Sequence, residues 1–259
     1  MWTVIFSVLI FFNIFYLISR MKNDFSVVDI AWGLSFLLIF VTAGTTFNSN
    51  WEAREVLIGS LVFIWSVRLS GYIFLRSRKI GKEDYRYAQF RKDWGNNANT
   101  IAYFRVFILQ AFLSLLIASP LILIHYYKSA PAFGTVLDLL GLSLWIIGFL
   151  FEAIGDFQKH IFKSNEANKG KILQTGLWRY TRHPNYFGDA LLWWGMFFII
   201  INEVPIWFAV WGPLLLNFFL LKVSGVALLE RKYEDNKTFS NYKKTTNAFI
   251  PWFPKREIM

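Results

Sequence analysis

The sequence predicts an all-α integral membrane protein of about seven transmembrane helices, with its N-terminus outside and its C-terminus cytoplasmic. Three observations predict it. Hydrophobic residues make up 55% of the 259-residue chain and charged residues only 17%, whereas a soluble domain carries about 25% charge. Apolar stretches close to the roughly 20 residues needed to cross about 30 Å of hydrocarbon recur along it. Of the 27 Lys and Arg residues, 22 collect in alternate connecting segments. The 28 Phe and 12 Trp, with no long charged heptad pattern, exclude disorder, collagen and coiled coil. With no Cys there is no disulfide framework and no thiolate nucleophile, and three scattered His make no metal cage.

Taken in order, the first apolar stretch, 2–19, runs into Arg20 and Lys22 with no small-residue cleavage site, so it reads as a retained span rather than a signal peptide. Stretches 27–45, 56–75, 103–127 and 136–158 follow. The sixth, 186–201, is short and begins just after Pro184, and the seventh is 204–229. Segments 20–26, 76–102, 159–185 and 230–259 hold 22 of the basic residues; the alternate loops hold two, Arg54 and Lys128. Seven spans satisfy the positive-inside rule at every loop, and six or eight would break it. The chain is read as one polytopic domain, 1–259, with N-terminal helices 1–127 on the substrate side and a C-terminal region 136–259 on the cofactor side. The net charge of +10 also suits anionic lipid headgroups, and no motif points to nucleic acid. Gly141, Gly148 and Gly155 recur every seven residues and mark a close helix-packing groove.

Ionisable groups inside apolar spans are costly, about 2.5–3.5 kcal/mol at mid-helix on insertion scales, and are the first place to look for function. Asp29 opens the second span, Arg68 lies deep in the third with Trp65 and Tyr72 on its face, and Gln110 lies in the fourth. Asp29 and Arg68 could be a buried structural pair or part of a substrate site. Lys222 reads as a snorkelling interface residue. Glu152 and Asp156, at i and i+4, repel each other and need donors or cations from a neighbour or a ligand; Lys159 and Lys163 continue their face. The densest stretch is Thr175-Gly176-Leu177-Trp178-Arg179-Tyr180-Thr181-Arg182-His183-Pro184-Asn185-Tyr186-Phe187-Gly188-Asp189. Arg179, Arg182 and His183 can donate to phosphate or carboxylate. Pro184 can open a helix whose free N–H groups seat an anion. Asn185 offers an amide edge, Asp189 can accept from a ribose hydroxyl, and Gly188 would let a flat ligand approach the backbone.

This run, with Glu230 and Ala248-Phe249-Ile250-Pro251-Trp252, resembles the steroid 5α-reductase superfamily, in particular its bacterial branch of membrane proteins. Asp29-Ile30-Ala31-Trp32-Gly33, Trp65-x-x-Arg68-Leu69, Gly81-Lys82-Glu83-Asp84-Tyr85-Arg86-Tyr87 and Glu152-x-x-x-Asp156 support the likeness. The resemblance implies seven helices enclosing NADPH from the cytosolic side of a bacterial inner membrane. It implies hydride transfer to the activated C=C of a lipidic or steroid-like enone, an oxidoreductase acting on CH–CH groups. By resemblance Asn185 and Asp189 match the family's cofactor element and Asp156 its acidic position on the fifth helix, while Glu152 falls where steroid reductases carry an Asn. An anionic cofactor needs cytosolic cations, which Lys163, Arg179, Arg182, His183 and Arg86 can supply, and Tyr186 and Glu230 complete the expected cofactor-binding set. The family holds the substrate carbonyl with a Glu and a Tyr on its N-terminal helices; here Asp29, with Arg68 and either Trp65 or Tyr72, stands nearest. An Asp29 carboxyl kept neutral beside Trp32 could donate that hydrogen bond. No Gly-x-Gly-x-x-Gly occurs, so a Rossmann mode is excluded. Isoprenylcysteine carboxyl methyltransferases share Arg-His-Pro-x-Tyr-x-Gly and bind S-adenosylmethionine there, which makes a methyltransferase the alternative. A cofactor-free scaffold or transporter is the third class.

Overall fold

A computed structural model describes residues 1–47, 50–127, 132–223, 225–231 and 233–255. Lys128, one of the two basic residues of the sparsely charged loops, lies outside them. The described residues are helical, with no strand among them. They divide into two compact units: residues 1–133 with 203–211, and residues 134–202 with 212–259.

In the first unit α1 (Trp2–Lys22) ends where Asn23 takes a left-handed conformation (φ 52°), and Asp24 accepts from Ser26 N to start α2 (Val27–Phe47). α2 packs against α1 and against α3 (Ala53–Ile80). The α2–α3 seam is close because Gly33 leaves room for Ser70, whose hydroxyl donates to Ile30 O at 2.9 Å. α3 begins at a capping box between Glu52 and Glu55, and ends at Gly81 with φ 66°. Asp84 caps α4 (Tyr85–Trp94), which leads through α5 (Ala98–Ala102) and a π-helical turn, Tyr103–Ile108, into α6 (Leu109–Ile117) and α7 (Ser119–Leu123). Pro120 in the first turn of α7 lacks the N–H that would continue α6, which divides the fourth expected span. The short α10 (Ile206–Ala209) also belongs to this unit.

The second unit is built on α8 (Val136–Ser164) and α9 (Pro184–Ile200), packed along their length. Thr135 and Asp138 form the capping box that starts α8. A Cβ at Gly141 would lie 2.5 Å from Gly195 O, and one at Gly148 2.5 Å from Leu192 N. Gly188 and Gly195, also seven apart, are the reciprocal residues on α9, so each helix offers a glycine row to the other's backbone. Gly188 is therefore filled by α8: a Cβ there would collide with Glu152 N and Gly148 O. The expectation that it leaves room for a flat ligand is corrected. α11 (Trp211–Phe218), a π-helical turn at Phe219–Val223, α12 (Val226–Arg231) and α13 (Lys237–Thr245) complete the unit.

Among the described residues, six helical stretches are long and apolar enough to cross a membrane: Trp2–Lys22, Val27–Phe47, Ala53–Ile80, Tyr85–Ile117, Val136–Ser164 and Ile206–Arg231. The remaining expected span is α9. It has 17 residues, about 26 Å at 1.5 Å per residue and short of the roughly 30 Å hydrocarbon layer. Pro184 fixes its first turn, and the chain turns at 201–204 before Pro205.

Candidate functional site

The second unit gathers most of the residues singled out in the sequence. Pro184 at the start of α9 sets the register that puts Asn185 and Asp189 one turn apart on one face. Glycine contacts draw that end of α9 against α8, where a Cβ at Gly155 would lie 3.1 Å from Asn185 N. Asn185 Nδ2 donates to Asp156 Oδ1 at 3.1 Å, bridging the two helices. Glu152 and Asp156 are both buried, and the donor that their i, i+4 pairing required is supplied in part by this amide. Asn185 Oδ1 is buried and accepts no hydrogen bond among the described residues. Tyr186 stacks on His183, with ring centres 5.5 Å apart. Lys159 Nζ lies over the Trp178 ring at 5.2 Å, and the Trp178 indole N–H donates to Gly155 O.

Arg182, His183 and Glu230 form an internal cluster. Arg182 Nε donates to Glu230 Oε1 at 2.8 Å, and Arg182 Nη1 donates to Thr246 O and to Lys243 O. His183 Nε2 lies 3.2 Å from Glu230 Oε1, and Lys243 Nζ lies 3.2 Å from Glu230 Oε2. Burial pushes the His183 imidazole below its ordinary 6.5, against the pull of Glu230 and with the help of Lys159 and Arg182. Two nitrogens of Arg182, expected to face cofactor phosphate, are engaged here by a carboxylate and by carbonyls of the following segment. Arg179 and Lys163 are exposed at this end. The sequence missed the carbonyl acceptors from 243–247, because backbone oxygens leave no compositional trace.

The first unit holds a second polar group. Asp29 Oδ2 accepts from Arg86 Nη2 at 2.7 Å, and Asp29 Oδ1 accepts from the Tyr87 hydroxyl at 2.6 Å. Gln110 lies near the same hydroxyl. Arg86 Nε also reaches Asp84 at 3.0 Å. Burial tends to raise the Asp84 carboxyl, but Arg86 and Arg76 prevail and hold it below its usual value. The cation that meets Asp29 is Arg86, where the sequence suggested Arg68. Both oxygens of Asp29, which the sequence set toward a substrate carbonyl, have partners within this unit, Arg86 and Tyr87. Arg86, expected among the cofactor cations, is held between Asp29 and Asp84. Arg68 and Tyr72 lie half-buried on α3, and the Tyr72 ring sits 5.9 Å from the Arg76 guanidinium. Tyr87 was quoted in the sequence without a role. Its signal was its place beside Arg86 in a stretch rich in charge and tyrosine. Among the described residues no group of three or more His, Asp or Glu could hold a metal.

Fold and site together define a multi-pass, all-helical integral membrane protein with polar groups held inside both units. The chain belongs to the family described as "Protein of unknown function (DUF1295)", matched over residues 15–246, a family of membrane proteins related to the steroid 5α-reductase-like superfamily. An uncharacterised protein of Schizosaccharomyces pombe is 27% identical over 204 residues, which cover 70% of this chain and 59% of that relative. This chain thus spans less than two thirds of that relative's length. No solved structure matches.

Proposed function

We propose that the protein is a membrane-embedded, NADPH-dependent reductase that delivers a hydride to an activated C=C of a lipidic or steroid-like enone. The proposal includes seven spans, with the N-terminus outside and the basic loops on the cytoplasmic side of a bacterial inner membrane. The observation that carries it is the Asn185–Asp156 bridge, which fixes an amide and a carboxylate at the mouth of α9. A nicotinamide nucleotide fits the donor set. Its ribose hydroxyls and carboxamide N–H are the groups that a buried, unfilled Asn185 Oδ1 and neighbouring carboxylates accept from. Exposed Arg179 and Lys163 supply charge for phosphate. The nucleotide would bring the hydride; Asn185, Asp156 and Asp189 would orient it. The Arg182–Glu230–His183 cluster would keep the start of α9 in place.

At the substrate end, a carbonyl needs a fixed donor in a site poor in water, and removing one such donor costs about 10²–10³ in turnover. The Tyr87 hydroxyl is the group of that kind that supports the reading: its one proton, which lies on Asp29 Oδ1 in the structure, would turn to the substrate carbonyl on binding. The reaction is testable with protein in nanodiscs, NADPH deuterated at the transferring carbon, and a panel of steroid and polyprenyl enones. Deuterium should appear in the saturated product, and Tyr87→Phe should lower kcat by about 10²-fold. Methyl transfer from S-adenosylmethionine to a carboxylate, with no deuterium in any product, would favour the methyltransferase reading instead.

A further inference from the structure

The segment 237–255 has two sides. Its inner side is fastened to the residues just before α9. Arg182 N donates to Asn247 O at 2.9 Å, the Thr181 hydroxyl donates to Ala248 O and Phe249 O, and Trp252 N donates to Tyr180 O at 2.9 Å. The Tyr242 hydroxyl donates to Trp178 O. Its outer side is apolar and open: Ile250 is 65% exposed, Trp252 68% and Phe253 74%. Exposed Lys244 and Lys255 flank these residues. At the base of the segment a cavity of about 290 Å³ is lined by Tyr233, Glu234, Phe239, Ser240, Lys243 and Lys244.

Two exposed aromatic rings and an isoleucine beside lysines is the composition of a membrane interface. Indole and phenyl rings sit at headgroup level there, and lysine stems extend along apolar surface to reach anionic phosphate. A second copy of this chain fits the patch poorly. At a net charge of +10, self-association would set lysine against lysine. We propose that segment 237–255 is an interfacial anchor for anionic phospholipid, with Ile250, Trp252 and Phe253 in the headgroup boundary and Lys244 and Lys255 on headgroup phosphate. The same segment holds Thr181 and Arg182 by its backbone, so lipid that binds the seated tip stabilises the entry to α9 through linkage. The anchor does not depend on the identity of the cofactor.

The chain has no Cys, so Phe253→Cys carries a single bimane label. The labelled protein is placed in nanodiscs of phosphatidylcholine alone, or with phosphatidylglycerol, each doped with headgroup-nitroxide lipid. Strong nitroxide quenching in phosphatidylglycerol and weaker quenching in phosphatidylcholine are expected. Lys244→Gln with Lys255→Gln should remove the difference, since each lysine near an anionic surface biases partition about fivefold. Amide exchange at Arg182 and Trp252 should slow in the anionic discs. If Phe253→Cys is not monodisperse, Ile250→Cys reads the same contact with both rings intact. A label open to aqueous iodide and unquenched in both lipids would overturn the anchor. Equal quenching in both lipids would overturn the commitment to anionic headgroups. Quenching that follows the number of copies per disc rather than the lipid would assign the patch to self-association.

Discussion

Asn185 donates to Asp156 through its amide nitrogen and leaves its carbonyl oxygen buried without a hydrogen bond among the described residues. An Ala there removes both, and NADPH binding should weaken by about 1–3 kcal/mol, the cost of leaving partner groups unsatisfied. Titration of cofactor fluorescence reads that change, and unaltered binding would remove Asn185 from the site. Arg182 behaves differently, because it is tied to Glu230 and to the carbonyls of Thr246 and Lys243. Arg182→Ala should therefore lower the melting temperature without cofactor present, leaving a buried Glu230 short of a partner. His183 gives a pH signature. Its imidazole is pushed below 6.5 in the fold, so the unfolded chain binds the proton more readily. The stability from neutral His183 is fully present above pH 6.5 and is lost as pH falls through the lowered native value. Melting followed from pH 8 to pH 5 should decline across that window, and His183→Gln should flatten the decline. The individual residues were legible in the sequence; their partners were less so. Asp29 could be named as a costly buried acid, but its donors Arg86 and Tyr87 lie 57 and 58 positions away in sequence, a separation that no local pattern encodes.

The α8–α9 pair was the most legible element. Three glycines at intervals of seven on one helix are a packing row, and α9 answers with Gly188 and Gly195. Gly188→Ala would drive a methyl into the backbone of α8, and Gly195→Ala would meet Gly141 O and Trp145 N at 2.6 Å. Each should destabilise by about 1–3 kcal/mol, as overpacking does, whereas Gly71→Ala, which meets nothing within 4 Å, should be close to neutral. Equal melting of Gly188→Ala and Gly71→Ala in detergent would mean the close helix contact is absent. Element ends were less legible. The expected fourth span continues to 127, but Pro120 breaks it, and two π-helical turns, at Tyr103–Ile108 and Phe219–Val223, have no signature in hydropathy because the apolar run passes through them unchanged.

Across the whole molecule, hydropathy accounts for six membrane-length helices, and the charge count asks for one more crossing. α9 is the helix on which the two disagree: its charge context is that of a span, while its 17 residues fall below the usual length. Cysteines at Asn50, Glu166 and Lys255 in this Cys-free chain resolve it. The seven-span arrangement expects labelling from outside intact cells at 50 alone, and outside labelling at 255 with none at 166 would mean that α9 does not cross. The cofactor, by contrast, could be read only through resemblance, because Arg182-His183-Pro184-x-Tyr186-x-Gly188 serves reductases and methyltransferases alike. What separates them is the amide–carboxylate set at Asn185, Asp156 and Asp189. Calorimetry on the protein purified in detergent, titrated in turn with NADPH and S-adenosylmethionine, tests that set most directly. Micromolar NADPH binding, roughly −8 kcal/mol, reduced by Asn185→Ala and with no heat from S-adenosylmethionine, is the predicted result. S-adenosylmethionine bound and NADPH ignored would contradict it.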